Sequence, residues 1–134
     1  MTLSNPSPLE RSFATRWRQL GNGVELEREY RFAAHHVGLG PGIRKRLCEA
    51  GLKDWRLDFA HVPSRVAVEL HGATYARGRH TRGAGFRDDR EKMNAAQMLG
   101  WIVIEITSDM LSSDPAGYIE QIVTAIEPRA EVAV

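Results

Sequence analysis

The chain has one cysteine, no long apolar run and almost no net charge, and each scarcity excludes something. Cys48 alone cannot close an internal disulfide, so a scaffold held by internal cross-links is ruled out. Its helical-looking surroundings, Ile43 to Ala50, mark it as a small buried filler rather than a reactive thiol. No apolar stretch approaches the roughly 20 residues of a membrane-spanning helix. The opening Met-Thr-Leu-Ser-Asn-Pro-Ser-Pro lacks the basic-then-apolar order of a secretion signal. The expectation is a cytoplasmic protein with no membrane partner. A net charge of +1 does not by itself announce nucleic acid. Repeats and low-complexity tracts are also lacking, and 134 residues fit one domain with a useful core.

What is present is an ordinary globular composition, 43% hydrophobic and 26% charged, with the charge unevenly placed. Arg77, Arg79, His80, Arg82 and Arg87 crowd together with glycines between them, and Arg44, Lys45 and Arg46 form a second basic group. Local basic clusters on a near-neutral chain point to a polyanionic partner at one face. Solvated charged loops are the plainer alternative.

Pro8 opens a helix to about Leu20, with Leu9, Phe13, Trp17 and Leu20 at helical spacing, and Gly21-Asn22-Gly23 ends it. Residues 25–33 read as a strand with Tyr30 and Phe32 on one face, His35 to Gly42 as a loop, and Ile43 to Ala50 as a short helix. Trp55 to Val62 and Arg65 to His71 read as strands joined by a turn at Pro63-Ser64. The apolar run from Val66 to Leu70 places the second of these inside the sheet. Gly72 to Gly85 reads as a long loop, and residues 86–99 as a helix with Asp88 and Asp89 in its first turn. Trp101 to Thr107 is a strand with Ile102, Ile104 and Ile106 facing one way, and Pro115 to about Glu127 a last helix. Residues 1–7 and about 128–134 read as frayed ends. The order predicts a single α/β domain over residues 1–134, a mixed sheet with helices on its faces.

A turn centred on Pro63-Ser64 sets Asp58 opposite Glu69, Ala60 opposite Ala67 and Arg56 opposite His71. Opposed residues share a face. Two opposed carboxylates repel unless a cation or a proton lies between them. A hard divalent ion such as Mg²⁺ removes the repulsion, polarises a phosphate and activates water. The alternative is that Asp58 faces solvent and Glu69 pairs with Arg56 or Arg90, and a one-residue slip would separate the two acids. His35 and His36 would point apart on a strand, and His61, His71 and His80 lack zinc-type spacing, so no structural zinc is expected.

The loop from Gly72 to Arg87 leaves the strand that carries Glu69, so it begins beside this pair. Arg77, Arg79, Arg82 and Arg87 suit phosphate oxygens of DNA, Tyr75 a sugar or base, and His80 the scissile phosphate. Alternatively the loop arginines pair with Asp88, Asp89 and Glu91.

Five stretches in order, Trp55-Arg56-Leu57-Asp58-Phe59, Val66 to Gly72, Gly78-Arg79-His80-Thr81-Arg82-Gly83, Asp89 to Asn94 and Gly100-Trp101-Ile102-Val103, resemble a PD-(D/E)XK nuclease of the phage and prophage kind. The very-short-patch mismatch repair endonucleases are similar relatives. The resemblance covers residues 8–111. It implies a restriction-endonuclease-like fold and a Mg²⁺-dependent DNA endonuclease, with Mn²⁺ expected to substitute. The setting would be a prokaryotic or phage-infected cytoplasm, and a homodimer is allowed. Asp58 matches the first metal-binding carboxylate and Glu69 the acid of the (D/E)XK element. Glu10 matches a glutamate that completes the metal site, or else serves the dipole of the first helix. The usual lysine is His71 here. Either His71 replaces it as base or phosphate contact, or Lys92 fills the role from the following helix, or catalysis is lost. In the last case the function is that of an inactive nuclease-fold DNA-binding module.

Overall fold

The first helix is built as its sequence dictates. In the computed structural model, which describes residues 3–72 and 83–133, α1 spans Pro8–Leu20. Ser7 caps it: the Ser7 hydroxyl accepts from the Glu10 N–H at 3.1 Å, and the Glu10 carboxylate accepts from the Ser7 N–H at 3.0 Å. Two of the orphan amides of the first turn are thereby satisfied. Phe13 and Trp17, one turn apart, form the buried face, and Phe13 packs against Phe59 with ring centroids 4.9 Å apart. Gly21 ends the helix under the Trp17 indole, where a Cβ would come within 2.6 Å of the ring.

Strand β1 covers only Glu27–Tyr30, shorter than the 25–33 expected, because Phe32 opens a helix, α2 (Phe32–Val37). Phe32 and Ala33 are consecutive and both enter one apolar cluster, which an alternating strand does not allow. His35 and His36 therefore sit on a helix, not in a loop or on a strand. Helix α3 (Ile43–Glu49) buries Leu47. Cys48, the next residue, is turned about 100° away and is exposed, contrary to the buried role expected of it.

Strands β2 (Leu57–His61) and β3 (Val66–His71) form the antiparallel hairpin in the expected register, Phe59 against Val68, Ala60 against Ala67 and His61 against Val66. Helix α4 (Gly83–Met98) leads to β4 (Ile102–Thr107), which runs parallel to β3. The sheet order is β1-β2-β3-β4, so β3 is internal, as its apolar run requires. A helix absent from the sequence reading, α5 (Ser108–Ser113), follows β4 at once, with Thr107 accepting from the Met110 N–H and Leu111 buried. Helix α6 spans Pro115–Ala133 and passes the expected end near Glu127. The Arg129 guanidinium ties this extension down by donating to the carbonyls of Ser64 at 2.6 Å and Gly100 at 2.9 Å.

The core lies in two layers. On one face of the sheet, Phe13 and Trp17 of α1, Leu111 of α5 and Ile119, Ile122 and Ile126 of α6 pack with Phe59, Val66, Val68 and Ile106. On the other, Phe32, Leu47 and Ala96 from α2, α3 and α4 pack with Leu57, Ala60, Ala67 and Trp101. The protein is thus a single α/β domain, a four-stranded mixed sheet flanked by helices. Ile104 and Ile106 pack in the first layer as expected, whereas Ile102 at the strand's start is 40% exposed.

Candidate active site

The hairpin register, continued one step past Phe59 and Val68, brings Asp58 to Glu69. There the backbone ladder gives way to side chains. Glu69 Oε2 accepts from the Asp58 N–H at 2.7 Å, and Asp58 Oδ2 accepts from the Leu70 N–H at 2.8 Å. The alternation expected of β2 also breaks: Leu57 packs with Ala60 in the second layer, although Phe59 lies in the first. Asp58 opens onto a groove beside α1 that also contains Glu10, while Glu69 reaches Lys92 of α4. Glu29 lies across from this point in β1, with φ at 51°, a left-handed conformation unusual for glutamate. Ser4 donates to its carboxylate, and Arg28 and Arg56 pair with it, at 3.5 Å in the case of Arg56. Arg56, expected opposite His71, thus has Glu29 among its partners.

Burial sets the electrostatics. Glu69 is only 4% exposed, and burial together with the neighbouring Asp58 pushes its carboxyl up to about 7. Lys92, which bonds directly to Glu69, pulls in the other direction without cancelling the rise. Asp58 is also raised, mainly by burial and in part by Glu10, against the Leu70 N–H, Lys92 and His71. The ion pair of Glu69 is with Lys92, not with Arg56 or Arg90.

The other expected site residues divide. His71 Nε2 lies 3.0 Å from Glu105 Oε1 on β4, a partner marked in sequence only by an acid interrupting three isoleucines. Glu10 has both oxygens engaged, one by the Ser7 N–H and the other by Arg28 at 3.3 Å, so its capping role is the one the geometry displays. Arg87 belongs to α4, is 83% exposed and pairs with Glu91 at 3.4 Å. Asp88 bonds to Lys53 at 2.9 Å and Asp89 to Arg90. Tyr75, Arg77, Arg79, His80 and Arg82 lie outside the described residues. In the second basic group, Arg46 is structural: it donates to the carbonyls of Val37, Gly38, Leu39 and Pro41, closing the turn between α2 and α3.

Hard oxygen donors from Asp58 and Glu69 suit a divalent cation such as Mg²⁺, and an ammonium already bonds to one of them. Among the described residues no three histidine, cysteine, aspartate or glutamate side chains form a ready metal cluster. Mg²⁺ characteristically uses one or two carboxylates and fills its shell with water and phosphate oxygens, so the two-acid set fits it. None of the helices among the described residues is long and apolar enough to cross a membrane. The chain matches no family model, no curated protein and no solved structure.

Proposed function

We propose that the protein is a Mg²⁺-dependent DNA endonuclease with a restriction-endonuclease-like domain. The observation that carries this reading is the convergence of Asp58 and Glu69 where the β2–β3 ladder opens, with Lys92 bonded to Glu69. Burying two carboxylates together is unfavourable for a structural pair and is a common device of catalytic ones. Asp58 and Glu69 would hold the cation, which when bound supplies Lewis-acid polarisation of the scissile phosphate. Lys92 holds Glu69 in place and carries protons that can bond a phosphate oxygen. His71, oriented by Glu105, stands at the end of the same strand and near enough to Asp58 to affect its ionisation. Of the two residues offered for the missing lysine, Lys92 has the direct contact with the acidic pair.

The second reading, a DNA-binding module without turnover, is favoured by one fact: Lys92 compensates Glu69 with no metal needed. Mg²⁺-dependent nicking of supercoiled plasmid separates the two. Nicking that stops in EDTA and in Asp58→Asn supports the enzyme. Plasmid binding without nicking in Mg²⁺ or Mn²⁺ supports the module.

A further inference from the structure

Beside Asp58 lies a groove of about 750 Å³, within the roughly 300–1,000 Å³ typical of ligand clefts. Helix α1 supplies Ser12 and Arg16 to it, one turn apart and so on one helix face. Helix α5 supplies Ser108 and Ser112, again one turn apart. Gly72 and Asp58 lie at the sheet end. The Arg16 side chain makes no hydrogen bond or ion pair among the described residues, although the groove it lines also contains Glu10 and Asp58. Glu10 is satisfied by Arg28 and the Ser7 amide, which leaves the Arg16 guanidinium available to an incoming anion.

Resting on the nuclease reading, we propose that this groove carries the sugar–phosphate backbone of one strand of duplex DNA next to the bond to be cut, with Arg16 as a phosphate contact. Arginine and serine hydroxyls are the usual partners of phosphate oxygens, and such contacts set register without reading sequence. Among the described residues no aromatic side chain lines the groove, so they offer no platform on which the bases of a single strand could stack. A strand lying along it passes Asp58 and therefore reaches the acidic pair.

The test is duplex binding by the full chain in EDTA, where no cleavage interferes, over a range of salt concentrations. Arg16→Ala should weaken binding roughly tenfold for every sequence and reduce the slope of log affinity against log salt by about 0.9, one phosphate contact. Arg16→Lys should keep the slope. Arg18→Ala removes the same charge from the same helix but from a different groove, and should leave the slope unchanged. Equal slopes for wild type and Arg16→Ala, or equal losses in Arg16→Ala and Arg18→Ala, overturn the proposal. Nicking measured in parallel keeps the two readings apart. Cleavage with an Arg16-independent slope removes the groove and leaves the nuclease. An Arg16-dependent slope without cleavage removes the hydrolysis and leaves the groove.

Discussion

Lys92 of α4 sets its ammonium on the carboxylate of Glu69 in β3, supplying from within the chain the cation that two adjacent buried acids demand. Both partners are largely buried, Lys92 15% and Glu69 5% exposed at the side chain. Lys92→Ala should therefore destabilise the metal-free protein by about 2–3 kcal/mol, because an uncompensated charge is left inside. Mg²⁺ should restore more stability to that variant than it adds to the wild type, by the ordinary linkage of binding to folding. Urea unfolding with and without Mg²⁺ measures both. An unchanged midpoint in EDTA would mean that the pair needs no internal cation.

Cleavage should separate the residues around the pair. Asp58→Asn and Glu69→Gln should each take plasmid nicking below detection while the far-ultraviolet circular dichroism stays native. Asparagine keeps an oxygen for the Leu70 N–H and glutamine one for the Asp58 N–H. Lys92→Ala should lose more turnover than His71→Ala, since Lys92 touches Glu69 and His71 is tied to Glu105. The opposite ranking would return the base role to His71.

Helix α1 and the β2–β3 register were legible because their signals are local: Pro8 with apolar residues at helical spacing, and a turn that sets which residues oppose. Asp58 and Glu69 followed from that register. What was not legible depends on distant partners. Phe32 starts a helix because an apolar cluster collects it with Ala33. Leu57 breaks the strand alternation by joining Ala96 and Trp101. The choice of Lys92 over Arg56 and Arg90 rests on how α4 lies against the sheet. Arg16 was not marked in the sequence, because its groove exists only once α5 is known to follow β4.

Arg46 offers a check on the basic clusters. Its guanidinium serves four carbonyls between α2 and α3, so Arg46→Ala should lower stability by about 2 kcal/mol, the order of a lost charged hydrogen-bond set at a partly buried site. The salt dependence of DNA binding should not change. Chemical denaturation and the salt series test the two halves separately. A flattened slope with native stability would mark Arg46 as a phosphate contact instead.

The raised carboxyl of Glu69 also has a definite sign in the pH dependence of folding. Burial and Asp58 lift it from the usual 4.5 to about 7. Between those values the folded chain holds a proton on Glu69 that the unfolded chain has released. Stability from this group is therefore greatest near and below pH 4.5, falls as pH rises, and is lost by about pH 7. The full change is on the order of 3 kcal/mol. Other groups titrate in the same window, so the quantity to measure is the stability of wild type minus that of Glu69→Gln, in EDTA. That difference should decline from pH 4.5 to about 7 and then level. Asp58→Asn, which removes the neighbouring charge, should make the decline shallower and should be more stable than wild type at pH 8, above the Glu69 transition. A difference that rises with pH would show that Lys92 outweighs burial and holds Glu69 ionised throughout.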